Sequence, residues 1–326
     1  MINLPIWLQN EGTVLAELIA RQRFPHALLI HGPEGTGRRL FAFWLIGRLL
    51  GLRDLDLRAA MPAGRFLDPE SLPQHPDFQF VQPEPDKRSI SIERIRQLIA
   101  FLNLTSHQAG PKTALITPAQ VMTRPAANSL LKTLEEPPGA SCLILVAAAQ
   151  SSLPPTIVSR CRRVRIPIPT RSVAKAWLRQ QAPNEEWGPV LDLAGGAPVG
   201  ALNLLQSDFP AQAVGFSDDI SGLLQRKLTP AKVAGRWAKI DPDVYLPWLY
   251  RRVSHEIRLA SGAVDEDTQQ NAVLGGLQNG SESLNIEASF SDLLEINELR
   301  RLQGAGLKQE LQLTKILGRW YGGVQL

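Results

Sequence analysis

Cysteine is scarce in this 326-residue chain, with Cys142 and Cys161 as its only two. Two thiols exclude a disulfide framework and a four-thiolate zinc site, and five scattered histidines do not supply the missing ligands. Long apolar runs are missing too. The longest, Cys142 to Ala149, is far short of the ~20 residues a membrane-spanning helix needs. The opening MINLPIWLQN lacks a basic n-region, its first cation being Arg21, so no secretory leader is expected. Neither sign of charge dominates: 35 Lys and Arg against 31 Asp and Glu leave +4 at pH 7. That balance is compatible with a nucleic-acid partner without requiring one, because the placement of the arginines decides. The 44% hydrophobic and 20% charged residues are ordinary for a globular protein. At ~100–200 residues per domain, two or three domains are expected. These absences leave a reduced, cytoplasmic, multidomain protein.

What is present is alternation. His26-Ala-Leu-Leu-Ile30 is a short apolar run that breaks into the glycine-rich HGPEGTG and then into a helical stretch, Arg38 to Leu50. Phe78 to Val81, Ala114 to Ile116 and Cys142 to Ala149 read as further strands. Between them, Ser91 is placed to cap a helix with Ile92, Ile95, Ile99 and Leu102 on one face. Ala126 to Glu136 is helical until Pro137-Pro138 stops it. Strands separated by helices predict a parallel sheet covered on both faces. After Pro169 the strand signals cease. Arg171 to Gln181 and Trp187 to Leu205 read as helix, the second interrupted by Gly195-Gly-Ala-Pro198, and from Ser217 onward helix dominates. Asp241-Pro242 predicts a cap and a first helical position, with Tyr245, Leu249, Val253 and Ile257 repeating every four residues. Pro247 either bends that helix or marks its true start. Gly275 to Ser283 reads as a loop. The implied boundaries are 1–168 for an α/β domain, 169–209 for a small helical piece and 210–326 for a larger helical domain.

Gly32-Pro-Glu-Gly35-Thr-Gly37 follows a strand and opens a helix, the context a phosphate-binding loop requires. Its glycines let backbone N–H groups turn inward at a helix N-terminus. Such a loop should end in Lys and Ser/Thr, but Arg38 and Arg39 stand there. Arginine is a wide planar fork where a compact ammonium is needed, and Arg39 replaces a Mg²⁺-holding hydroxyl with a cation. The strand Lys112 to Ile116 should be followed by metal-holding acids, yet Thr117 and Pro118 follow, leaving no base there. No ATP hydrolysis in cis is expected. The loop then either binds nothing or keeps nucleotide without turnover.

The segment Asn128-Ser-Leu-Leu-Lys-Thr-Leu-Glu-Glu-Pro-Pro138, followed by a strand and Ser159-Arg160-Cys161, resembles the clamp-loader branch of the AAA+ ATPases. Loop, degenerate acidic strand, proline-stopped helix and SRC triplet occur in that family's order across residues 26–161; the helical second half matches in layout only. The resemblance implies an α/β P-loop (AAA+) domain with a parallel sheet, then a small helical lid domain and an all-α C-terminal collar domain. It also implies that Arg160 reaches a neighbouring subunit's ATP as an arginine finger in trans, with Ser159 and Cys161 supporting the turn. Cys161 reads as a packing residue, not a nucleophile. The family's lid often carries a nucleotide-sensing arginine where this chain has Gly200. Many members carry a four-cysteine zinc module before a His-Pro-Asp triplet. His75-Pro-Asp77 is present, but Leu52 to Gln74 contains no cysteine, so no metal and no cofactor are expected.

An intact SRC beside lost ATPase motifs implies a non-catalytic member of a bacterial clamp loader at the nucleoid-associated replisome. Its implied partners are the loader's ATPase subunits and delta subunit, the sliding clamp through the complex, and primed DNA bound without sequence preference. Arg94 and Arg96, near the start of the Ser91 helix, are candidate phosphate contacts, and Lys132 is a further one. A plainer reading makes these a solvated helix face, and Arg162, Arg163 and Arg165 a solvated strand. The tryptophans sit in apolar or helical patterns and read as core or interface. Two alternatives stay open: an active ATPase using Arg38 and the Thr36 hydroxyl, or a stand-alone nucleotide-sensing regulator.

Overall fold

The apolar runs of the first half become strands because both of their faces are covered. The computed structural model describes residues 4–52, 67–68, 72–107, 110–207, 209–261, 286–301 and 309–321. Within it, Ala27–His31 (β1), Phe78–Val81 (β2), Lys112–Ile116 (β3), Ser141–Ala147 (β4) and Arg162–Arg165 (β5) form one sheet, in the order β2-β3-β4-β1-β5. Every pairing is parallel, and β1 lies between β4 and β5 with Leu29 opposite Leu145 and Arg163. β4 ends at Ala147, so the run the sequence extends to Ala149 leaves the sheet two residues earlier. β5 is an edge, and its RRVR sequence suits one: Val164 turns inward while the three arginines face solvent.

Side chains alternate across the sheet, so successive residues of β1 serve different layers. Leu28 and Ile30 pack with Ile144 against helices Ile6–Ala20 (α1) and Arg38–Leu49 (α2), which contribute Leu8, Leu15, Phe41, Phe43 and Ile46. Leu29 faces the other way, with Ala114 and Leu145, against Ile95 and Leu98 of Ile92–Leu102 (α3) and Leu130 and Leu134 of Arg124–Glu135 (α4). α4 starts two residues before the sequence suggests, because the Thr123 hydroxyl accepts from the Ala126 N–H at 3.3 Å and Pro125 fits the first turn. Ser91 stands at the N-cap of α3 but makes no capping bond; its hydroxyl is engaged with Glu93 instead. The short Pro155–Val158 (α5) precedes β5.

By internal contacts the chain divides into two units, the first comprising Met1–Pro183 with Gly196–Asn203, the second Asn184–Gly195 with Leu204–Leu326. The first therefore also holds Arg171–Gln181 (α6) and most of Pro198–Leu205 (α8). The second holds Trp187–Leu193 (α7), Phe209–Leu224 (α9), Pro230–Trp237 (α10), Pro242–Ala260 (α11), Ile286–Arg301 (α12) and Gln309–Tyr321 (α13), and no strand among its described residues. Its core is aromatic: Trp237 pairs with Phe216, Tyr245 and Trp248, and Phe216 with Trp248, at 5.0–5.9 Å in edge-on and tilted arrangements. The Trp237 indole donates to Asp219 Oδ2 at 3.0 Å, so the buried N–H is satisfied. Pro247 lies inside α11, whose start is Pro242, and Tyr245, Leu249, Val253 and Ile257 form its buried stripe. The loop expected at Gly275 to Ser283 lies outside the described residues. No helix among the described residues is long and apolar enough to cross a membrane.

One buried ion pair ties the start of β3 to the turn before β2. Lys112 Nζ lies 3.2 Å from Asp77 Oδ1, with both side chains at most 3% exposed. Asp77 also accepts from the Ser106 hydroxyl at 3.0 Å and the His107 N–H at 2.9 Å, and the ammonium sits 4.2 Å from the centre of the Phe101 ring. Removing one member of such a pair strands the other charge. Asp77→Ala is expected to cost about 3–5 kcal/mol in urea unfolding. Lys112→Met should cost less, since Asp77 keeps two donors and methionine fills the space. The reverse ranking would show that the carboxylate is not the organising member.

Candidate functional site: a covered phosphate loop and an exposed arginine turn

In a parallel sheet, ligand sites form beyond the carboxyl ends of the strands. The loop after β1 occupies that place, and its backbone has the conformation the glycines foretold. Gly35 has φ +73° and Gly37, the N-cap of α2, has φ +95°. The loop is covered. The Gly200 N–H donates to the Gly35 carbonyl at 3.0 Å, and a Cβ at Gly35 would lie 2.7 Å from the Gly200 Cα. Gly200 therefore packs its backbone against the loop. From α1, the Trp7 indole donates to the Thr36 carbonyl at 2.9 Å, and its ring stands edge-on to Trp177 at 5.4 Å. The Thr36 hydroxyl donates to the Pro33 carbonyl at 2.8 Å and is fully buried. Gly32 is closed in as well: a Cβ there would lie 2.1 Å from the Ile166 carbonyl oxygen.

The cations around the loop are crowded. Burial lowers Arg38 to about 10 against the pull of Glu34, and burial likewise lowers Arg39. His31 is held below its ordinary value by burial, then by Arg165, Arg163 and Arg38. At the end of β3, Thr117 is buried with its N–H on the Val81 carbonyl at 3.0 Å, and Pro118 follows. Neither side chain is an acid. The sequence indicates the strand that becomes β4 but gives no role to its end, where Ala147 pairs with His31 and is followed by Ala148 and Ala149. Three methyl groups therefore stand at the strand end nearest the loop, a signal visible in the sequence once the register is known.

The SRC triplet forms a separate, ordered feature between α5 and β5. Ser159 donates its hydroxyl to the Thr156 carbonyl at 3.2 Å. Arg160 donates through Nη1 to Thr156 O at 2.9 Å and Ser159 Oγ at 3.3 Å, and through Nη2 to the Glu135 carboxylate at the end of α4. Its side chain is 35% exposed. Cys161 is buried beside Leu153 and Ile157, and burial pushes its thiol up to about 12. The other thiol, Cys142, is buried in β4 and pushed up for the same reason.

The candidate nucleic-acid residues divide. Arg96 is exposed on α3, whereas Arg94 is half-buried and its Nε is enclosed with no hydrogen-bond partner. Lys132 is exposed on α4, which packs on α3. No group of three or more His, Cys, Asp or Glu among the described residues is placed to hold a metal ion. Most of Leu52 to Gln74 lies outside those residues.

Residues 9–170 match the family described as "DNA polymerase III, delta subunit". The chain is 31% identical over 238 residues to DNA polymerase III subunit delta' of Pseudomonas aeruginosa, covering 72% of each chain. It is 26% identical to the subunit of the same name from Escherichia coli, covering 96% of this chain and 94% of that one. Among solved structures, it is similar to a DNA polymerase III gamma subunit-related protein of Thermotoga maritima, at 20% identity and a TM-score of 0.46, covering 94% and 99% of the two chains.

The burial of both thiols has a direct chemical consequence. With a thiol at about 12, roughly one in ten thousand is ionised at pH 8, and the thiolate is the reacting species. A disulfide reagent such as Ellman's is expected to leave Cys142 and Cys161 untouched in the native chain at pH 8 and to titrate both in denaturant. Rapid native reaction of Cys161 would mean that the turn carrying Arg160 opens readily.

Proposed function

The chain belongs to the delta-prime subunits of DNA polymerase III, and from that membership we propose that it serves a clamp loader without hydrolysing ATP, lending Arg160 to a neighbouring ATPase subunit. The observation that carries this reading is the contrast between the two sites. The chain's own phosphate loop has Arg38 and Arg39 at its working positions and Gly200 packed on Gly35, while Arg160 stands half-exposed on an ordered turn.

The chemistry follows from the side chain. A guanidinium stays charged at any physiological pH and presents a planar fork of donors. Laid against a nucleotide bound by the neighbour, it would offset the charge that spreads over the phosphoryl oxygens as the terminal bond breaks. Ser159 and the Thr156 carbonyl hold the turn from which the fork projects. Buried Cys161 anchors that turn in the core. In this reading Arg96 on α3, and Lys132 on α4, meet DNA phosphates without reading sequence. The helical second unit supplies the collar through which ATPase subunits and the delta subunit assemble, and the sliding clamp is reached through that complex.

Two measurements test the two halves. Isothermal titration of the isolated chain with Mg-ATP up to millimolar concentration is expected to show no saturable binding. A saturable isotherm would favour a nucleotide-sensing role and count against a closed loop. In a loader reconstituted with ATPase subunits, delta subunit, clamp and primed DNA, Arg160→Ala should assemble normally. It should lower clamp loading by about tenfold or more, trans arginine fingers being worth ~10³–10⁵ in rate in GTPases. Unchanged loading with full assembly would remove the finger from the mechanism.

A further inference from the structure

The carboxylate that holds Arg160 comes from a residue to which neither the sequence motifs nor the proposed chemistry gives a role. Glu135 is the last residue of α4 and lies 25 positions before its partner. Among the described residues it is the one charged acceptor of the guanidinium; the other two, Thr156 O and Ser159 Oγ, are neutral and belong to the arginine's own turn. Three acceptors leave part of the guanidinium's five N–H donors uncommitted. An arginine side chain carries about 2 kcal/mol of rotamer entropy, so local neutral bonds alone hold it loosely. A carboxylate on a fixed helix end removes much of that freedom.

The post itself is rigid. Leu130 and Leu134 of α4 are buried, the Leu134 carbonyl is bonded to His26 Nε2 at 3.0 Å, and Pro137-Pro138 ends the helix immediately afterwards. α4 packs against α5, the helix that leads into the arginine turn. Glu135 also stands where local physics disfavours it. The C-terminal end of a helix carries partial negative charge, and an acid there is unfavourable by some ~0.3–1 kcal/mol. A second acid, Glu136, follows it. The pair with Arg160 offsets this, yet the two side chains are 51% and 35% exposed, and exposed pairs contribute little to stability. A residue that breaks a local rule without holding the fold points to a task at the site.

We propose that Glu135 is a positioning residue for Arg160. It pins one terminal nitrogen and leaves the free N–H groups set for a phosphate on the neighbouring subunit. This inference rests on the reading of Arg160 as a trans finger, and the test separates the two. Reconstituted loaders carry wild type, Glu135→Gln, Arg160→Ala or both substitutions, each checked for assembly. Glu135→Gln keeps the side-chain shape and one acceptor oxygen while replacing the charged carboxylate with a neutral amide. It is expected to lower the maximal DNA-stimulated ATP turnover and clamp loading by about three- to tenfold. The KM for ATP and the unfolding temperature of the isolated chain should not move. Added to Arg160→Ala, it should cause no further loss, since it acts through that side chain.

Wild-type turnover in Glu135→Gln, with Arg160→Ala impaired, overturns the positioning role and leaves the finger standing. A rise in turnover overturns it too, because Glu135 would then restrain the finger. A further loss in the double variant, or a lowered unfolding temperature with poor assembly, shows that Glu135 acts independently of Arg160. If Arg160→Ala itself is without effect, both readings fall together.

Discussion

Parallel pairing of β1 with β4 on one side and β5 on the other is the constraint from which the rest of the first unit follows. Because all strands share one polarity, the loop after β1, the Thr117-Pro118 step after β3 and the three alanines around the end of β4 come out along one edge. Helices must then cover both faces, and the two apolar sets of β1 are divided between α1–α2 and α3–α4. The buried Asp77–Lys112 pair fixes where β3 begins, and so how far its end reaches toward that edge.

Charge is distributed differently at that edge and at the opposite one, where Arg160 leads into β5. Near the loop the cations are close together and partly enclosed, which lowers Arg38 and His31. The structure places no carboxylate after β3 to balance a metal. Arg160 is treated differently. It has a charged partner, a hydroxyl and a carbonyl, and retains exposure. A guanidinium that is ordered but still wet can exchange one anionic partner for another with little reorganisation.

Much of this was legible in the amino-acid order. The strand at Phe78–Val81 and the buried stripe of α11 have the limits and residues that periodicity indicated. Other elements were hidden for physical reasons. α1 escaped notice because Gly12 occupies its buried face, where a Cβ would lie 2.6 Å from Leu4 Cδ1. β5, readable only as a solvated basic strand, is paired on one side and so carries three arginines and a valine in place of an apolar run. A glycine at position 200 is plain in the sequence, but not the contact of Gly200 with Gly35, since nothing local records a meeting between residues so far apart in the chain. The same is true of Glu135, which lies inside a motif readable as a helix end but whose partner is fixed only by the packing of α4 on α5.

The bond between Gly200 and the Gly35 carbonyl also bears on what substitution at the loop could achieve. Side chains such as those of Arg38 and Arg39 can be exchanged one at a time. Coverage of the loop is of another kind, because Trp7 on Thr36, Ile166 behind Gly32 and Gly200 on Gly35 are held by three separate parts of the chain. Lys at 38 and Thr at 39 would supply ligands without supplying the space in front of them. The packing that closes over the loop belongs to the core of the first unit, so opening that space trades against stability.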